Sequence, residues 1–382
     1  MNVVLLTNIL TPYRAFFFDK LYNYFKNNNI NFTVLVMAET EPDRNWNYSD
    51  LKTEYTILLE NKSLNLFNMN IHINSNIISK LSEMKPNIVI AAGGYNLPSV
   101  YMATMMKKKI GYKILFWSES HLNEIKHHNR LVIALREYIR KKIYIKFDGF
   151  WYSGEMSKIF ITKYAREKKL IFVPNLIDSD LYKQGLTIHN SQKVKLKDMY
   201  NLEKDKFIFI CPARLNKVKG IDKFIKLIAK SSNKNNITIL IPGEGELKEY
   251  LQEISSEYKL DVRFLGFKCQ DEMVKLYSIS DCFLMPSLSD PNPLTCVEAL
   301  HSGLPLIVSS HVGNNPEVIE YGKNGFVFDY SKEKEAIEAI DFIVKSDYNW
   351  REEARSCSLR IAEDIYNVDK VVANLIKETT EI

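Results

Sequence analysis

Close cysteine pairs, long apolar runs and metal-binding histidine patterns are all missing from this 382-residue sequence, and each absence removes a class of protein. The five cysteines (Cys211, Cys269, Cys282, Cys296 and Cys357) are scattered and odd in number. Neither a disulfide frame nor a CxxC zinc site is expected, and a reduced, cytoplasmic chain is. No stretch reaches the roughly 18 apolar residues that a bilayer span needs. The opening Met-Asn-Val-Val-Leu-Leu-Thr lacks a basic segment and a small-residue cleavage site, so it reads as a first strand rather than a secretory signal. The seven histidines form no HxxxH or HExxH pattern, and the adjacent His127 and His128 would face two directions on a helix. No metal site built from protein ligands is expected. Low-complexity segments and short repeats are absent as well.

What is present describes a globular protein. Hydrophobic residues make up 46% and charged residues 25%, and the length suits two cores rather than one. Apolar strand candidates alternate with amphipathic helices through both halves. In the first half they are 2–7, 31–37, 88–92, 113–117, 149–152 and 170–173. In the second they are 207–211, 237–241, 262–265, 282–285 and 305–309. Near-continuous apolar strands point to parallel sheets covered on both faces. Thr11-Pro12 is a helix start, an N-cap residue followed by Pro at the first helical position. The polar stretch 184–206 reads as a linker. The expected organisation is an N-terminal Rossmann-like domain (1–183), the linker (184–206) and a C-terminal Rossmann-like domain (207–355). A final helical segment (356–382) would pack back on the first domain. The fold class is α/β, with two doubly wound domains facing across a cleft.

The most informative stretch is 283–310, FLMPSLSDPNPLTCVEALHSGLPLIVSS. It reads as a strand, a loop holding Asp290, a helix carrying Glu298, a stop at Gly303 and a second buried strand. A carboxylate on the loop and another on the following helix can converge on the crevice outside the carboxyl end of the strand, where open α/β sheets bind ligands. Unpaired N–H groups and partial positive charge at the helix start suit a diphosphate.

Five motifs in the second half resemble glycosyltransferase family 4, retaining enzymes of the GT-B fold. They are Pro212-Ala213-Arg214 with Lys219-Gly220, then Pro242-Gly243-Glu244-Gly245, then Phe264-Leu265-Gly266. Asp281 to Ser287 leads next to Asp290 and Glu298-Ala299-Leu300, and Gly313-Asn314-Asn315-Pro316-Glu317 closes the series. Order and spacing hold over about residues 207–328. The first half is similar more loosely, through Val173-Pro174-Asn175 and Asp178. Thr11-Pro12-Tyr13-Arg14 stands where many members carry a Gly-Gly turn, and such starts resemble bacterial surface-polysaccharide transferases.

The resemblance implies a nucleotide-diphosphate sugar as donor, UDP by default, with no metal and no further cofactor. Departure of a nucleoside diphosphate builds negative charge, and stabilising it is the main catalytic need. Arg214 offers a planar fork and Lys219 a point charge for the phosphates. The helix start at Asn292, Pro293, Leu294 and Thr295 adds donors. Glu298 is expected on the ribose hydroxyls and Asp290 near the donor sugar. The family usually has Glu at the first of these positions, so this arm is one methylene shorter. Gly243 is a turn glycine that also lets backbone approach the nucleotide. After strand 113–117, Glu119 and His121 are both candidates for the polar residue facing the reacting sugar, and Tyr13 and Arg14 are assigned to the acceptor side. Each of these residues also has a plain structural reading as a surface pair, a cap or a turn.

Net charge is +5 and uneven: residues 1–180 hold 24 Lys+Arg against 16 Asp+Glu, while 101–146 alone hold 11 against 3. The region 107–146 interleaves Lys and Arg with apolar helix positions, which fits either a helix on the anionic inner leaflet of a membrane or a solvated helix over the core. Nucleic acid is not expected, because no recognition motif accompanies the charge. The reading is a retaining transferase of surface-polysaccharide synthesis, cytoplasmic or peripheral at the inner membrane face, that moves a sugar to a saccharide or lipid-linked glycan. Its alternatives are a sugar-nucleotide epimerase on the same fold and a non-catalytic nucleotide-binding scaffold for a partner transferase.

Overall fold

Short strands of almost unbroken apolar residues can be satisfied only inside a sheet covered on both sides, and both halves of the chain build one. The computed structural model describes residues 1–41, 47–66, 69–122 and 130–382. Contacts divide the chain into two units, Met1–Leu176 with Val368–Ile382, and Ile177–Asn367.

The first unit contains β1 (Asn2–Thr7), β2 (Asn31–Val36), β3 (Thr56–Leu58), β4 (Lys62–Leu66), β5 (Met69–Ile73), β6 (Ile88–Ala92), β7 (Lys113–Ser118), β8 (Gly149–Tyr152) and β9 (Lys169–Phe172). Seven of them pair in the order β3-β2-β1-β6-β7-β8-β9, parallel throughout. β4 and β5 form a separate antiparallel hairpin. The helix Pro12–Asn27 starts as its sequence dictates, with the Thr11 hydroxyl accepting from the Arg14 backbone N–H at 3.4 Å and Pro12 in the first turn. It buries Phe17, Phe18, Leu21 and Phe25.

In the second unit β10 (Phe207–Ile210), β11 (Ile237–Pro242), β12 (Asp261–Gly266), β13 (Cys282–Met285), β14 (Leu306–Ser309) and β15 (Gly325–Phe328) form a parallel sheet in the order β12-β11-β10-β13-β14-β15. The helix Ile221–Ile228 follows β10 and buries Ile221, Phe224, Ile225, Leu227 and Ile228. At about 1.5–3 kcal/mol per fully buried side chain, this one helix fixes the loop that precedes it. Each sheet winds outward in both directions from a central pair, β1/β6 and β10/β13. The carboxyl ends of those pairs are topological switch points. The fold is α/β with two doubly wound units, the GT-B class.

Three boundaries differ from the sequence reading. Residues 184–206 are not an open linker: Ser179–Leu186 and Asn190–Met199 are helices that belong to the second unit. The second unit therefore begins at Ile177, and it runs past 355 to Asn367. The terminal region breaks at Tyr366-Asn367, so that Tyr348–Ile365 stays with the second unit and Val368–Thr380 joins the first. β3, the β4–β5 hairpin and β15 are short strands that the sequence reading did not include. Among the described residues, no helix is long and apolar enough to cross a membrane.

The last helix is bound into the first unit by Val368, Val372, Leu375 and Ile376, all buried. Trp151 Nε1 donates to Thr379 Oγ1 at 3.2 Å, and Lys169 Nζ to the Glu378 carbonyl at 2.7 Å. Leu375→Ala is expected to destabilise the first unit by about 2–5 kcal/mol, read as a lowered urea midpoint.

Candidate active site

The second unit's switch point lies where the loops after β10 and β13 meet. After β10 the chain passes through Arg214 to a single 3-10 turn, Lys217–Lys219, capped by the Asn216 side chain on the Lys219 N–H at 3.3 Å. Gly220 then takes φ +64°, and a Cβ there would sit 2.4 Å from the Pro286 carbonyl oxygen. Tyr330 clamps this crossing by donating to Pro286 O at 2.7 Å and Gly220 O at 3.2 Å. The Leu288 N–H donates to Val218 O at 2.8 Å. The two loops are thus joined through backbone, and their side chains are brought together as a result.

Lys219 and Asp290 meet there. Lys219 Nζ lies 2.5 Å from Asp290 Oδ2, with side chains 21% and 15% exposed. Asp290 is held by its backbone as well, since its carbonyl accepts from the Gly313 N–H at 2.7 Å. Arg214 is exposed on the same loop as Lys219. Pro293 is the N-cap of the helix Leu294–His301, which has no side-chain cap and no acidic residue in its first turn. The Pro293 carbonyl accepts from Cys296 N at 3.3 Å and from Asn314 Nδ2 at 3.2 Å, while Asn292 is buried beside it. Leu294 and Thr295 open the helix half-buried. Their N–H groups precede the intrahelical ladder and carry the helix's partial positive charge. Gly243, at φ +145°, donates its N–H to Gly266 O at 2.8 Å, and a Cβ would lie 2.0 Å from Ala213 O. It sets how closely the turn after β11 rests on the Arg214 loop.

Glu298 has different partners. Its carboxylate oxygen Oε2 accepts from the Tyr277 hydroxyl at 2.7 Å, and the Tyr182 hydroxyl reaches the same group. Burial pushes the Glu298 carboxyl up from its ordinary value, and the two tyrosine hydroxyls pull it part of the way back. Neither tyrosine stands out in the sequence. Tyr277 occupies an apolar helix position, and Tyr182 lies at the edge of the segment read as a linker.

In the first unit, Arg14 Nη1 donates to Thr7 Oγ1 at 2.8 Å and to Asn8 Oδ1 at 3.5 Å. Its other nitrogen lies 3.9 Å from Glu119, and the guanidinium stacks 5.2 Å from the Trp117 ring centroid. Arg14 and Glu119 therefore share the carboxyl edge of this sheet, with Tyr13 half-buried beside Arg14. His121 is buried just past β7. Lys126 and the His127-His128 pair lie outside the described residues. Among the described residues, no three His, Cys, Asp or Glu side chains gather as a metal-ligand set.

Residues 192–359 match the family model of glycosyl transferases group 1. An uncharacterized glycosyltransferase of Methanocaldococcus jannaschii is 30% identical over 196 residues, which cover 50% of this chain and 48% of the relative. The chain therefore spans about half the length of that protein. The alpha-monoglucosyldiacylglycerol synthase of Acholeplasma laidlawii is 24% identical over 72% of this chain and 71% of its own. The crystal structure of HepE from Anabaena in complex with UDP superposes with a TM-score of 0.79 over 100% of both chains, at 16% identity. That likeness shows a shared fold.

The tyrosine contacts give Glu298 a structural role. Glu298→Ala leaves the buried Tyr277 hydroxyl without its acceptor, and a stability loss of about 1–3 kcal/mol is expected. Glu298→Gln keeps an acceptor oxygen and is expected to lose less than half as much, measured by urea denaturation of both variants.

Proposed function

We propose that this chain is a retaining, metal-independent glycosyltransferase that moves a hexose from a UDP-sugar to a saccharide or lipid-linked glycan in surface-polysaccharide synthesis. The observation that carries the reading is the convergence of Lys219, Asp290 and the uncapped helix at Leu294 on one switch point of the second unit. Two cations and a helix end supply positive charge where a diphosphate departs, which is the role a divalent ion plays in other transferases. Glu298 then receives the ribose hydroxyls, and Asn292, Pro293 and Gly243 shape the cradle. The UDP bound to HepE supports the choice of base, and the diacylglycerol in the Acholeplasma enzyme's name supports a lipid-borne acceptor.

During transfer the donor C1–O bond to the diphosphate breaks and a C1–O bond to the acceptor hydroxyl forms. The acceptor proton has to be taken up nearby. Glu119 and His121 are the groups assigned to that task or to holding sugar hydroxyls, with Tyr13 and Arg14 orienting the acceptor. Retention of configuration follows from the family resemblance.

Isothermal titration with UDP in the presence of EDTA tests the donor assignment. Micromolar binding without metal is expected, weakened about 10- to 100-fold by Lys219→Ala and by Arg214→Ala through lost charge-assisted contacts. Binding that vanishes with EDTA would remove metal independence, and its absence under all conditions would remove the donor site.

An inner-leaflet position is part of the same proposal. On the helix Arg130–Tyr144, Leu135 and Tyr138 are 60% and 62% exposed and Ile139 is exposed too, beside Arg136, Lys141 and Lys142. Tyr101 and Met105 on the helix Pro98–Ile110 are exposed as well, and Lys146 Nζ lies 3.0 Å from Met105 Sδ. A helix that presents apolar and basic groups together fits an anionic bilayer. Sedimentation with phosphatidylglycerol vesicles but not phosphatidylcholine vesicles is expected, reversed by salt and lost when Tyr138 and Ile139 are both changed to Ser. Equal behaviour with the two lipids would sink this part.

A further inference from the structure

Glu298 is anchored from two directions by residues far apart in the chain. Tyr182 comes from the helix Ser179–Leu186 and Tyr277 from the helix Gln270–Ile279. Their rings are 2% and 1% exposed and meet edge to face, with centroids 5.9 Å apart. The Tyr277 hydroxyl donates to the Glu298 carboxylate at 2.7 Å, and Tyr182, packed against the Tyr277 ring, acts on the same carboxylate. Phenols this deep need an acceptor, and they can only donate to an ionised carboxylate.

The geometry leaves a definite remainder. A carboxylate has about four lone-pair sites, and the Tyr277 hydroxyl takes one of them. Enough remain for the two O–H donors of a vicinal diol. Two anchors also stop the carboxylate from rotating, so the ordering cost of binding is met before the ligand arrives. We propose that Tyr182 and Tyr277 are positioning residues that set the site's discrimination between a ribonucleoside diphosphate and its 2′-deoxy counterpart. The inference rests on the reading of Glu298 as the residue that takes the ribose hydroxyls.

The surroundings give this role a pH signature. The groups that act on the Glu298 carboxylate from neighbouring helices are the two tyrosine hydroxyls. Cys296 on the same helix is buried, with Tyr366 and Glu317 beyond it, while Asp180, Lys183 and Glu363 act on His301 at the far end of the helix. Burial raises the Glu298 carboxyl and the hydroxyls lower it, so removal of one hydroxyl raises it further. Only the ionised form accepts both diol hydrogens. The preference for ribose is therefore present above the Glu298 pKa and lost as pH falls through it. Losing a tyrosine hydroxyl moves that loss to higher pH.

The test compares UDP, 2′-deoxy-UDP and inorganic pyrophosphate by calorimetry on the full chain, Tyr277→Phe and Tyr182→Phe, from mildly acidic to mildly basic pH. The ratio of the two nucleotides is the readout, because their phosphates titrate alike and cancel. A wild-type preference for UDP of about tenfold or more is expected, falling about three- to tenfold in each variant, with pyrophosphate affinity unchanged and the acid limb of the ratio shifted upward. A lowered Tm with a wild-type ratio and acid limb would make the tyrosines packing residues only and overturn the proposal. Wild-type protein that binds UDP without preferring it to the deoxy form overturns the reading of Glu298 beneath it. Either tyrosine variant suffices if the other does not fold.

Discussion

The second unit depends on one close approach. The chain after β10 and the chain after β13 cross so tightly at Gly220 that a Cβ would fall 2.4 Å from the Pro286 carbonyl. No side chain fits there, and the positive φ of the same residue excludes most alternatives on its own. The crossing is maintained by Tyr330, whose single hydroxyl serves both carbonyls. It turns two loops that are about 70 residues apart in sequence into one surface at the switch point. Lys219 and Asp290 face each other because their neighbours are already fixed.

That pre-assembly has an energetic consequence. A fully exposed Lys–Asp pair is worth about 0–1 kcal/mol. The Lys219–Asp290 pair is mostly shielded and made at 2.5 Å, so each partner depends on the other for its solvation. A phosphate that approaches Lys219 brings anionic oxygens into the position Asp290 already holds. Under the proposed reading, donor binding is an exchange of one anion for another around a fixed cation, and Asp290 is left to hydrogen-bond neutral hydroxyls of the sugar.

Much of the fold was legible in the sequence because its signals are local. Strands such as Ile88–Ala92 and Cys282–Met285 are unbroken apolar runs, and Thr11-Pro12 starts its helix through bonds within four residues. What escaped is decided by tertiary contact. The helices at Ser179–Leu186 and Asn190–Met199 look like linker because only a few positions are buried, and Tyr182 is one of them. The three residues of β3 are too few to show a period. Among the candidate site residues, Asp290 and Glu298 were singled out by residue type and spacing, and Lys219 by the motif resemblance. The tyrosine pair was not, since a buried tyrosine on an amphipathic helix is indistinguishable in sequence from any other core aromatic.

The two carboxylates of the loop and helix after β13 have been given opposite surroundings. Asp290 faces a cation across a loop, in an environment where its charge is cancelled. Glu298 faces two neutral phenols inside the helical layer, where its charge is tolerated but not cancelled. A cancelled carboxylate yields its cation to a stronger anion, and an uncancelled one draws hydroxyl donors toward itself. Under the proposed reading, the same strand–loop–helix unit receives a phosphate at one end and a diol at the other, held apart by backbone that neither ligand has to move.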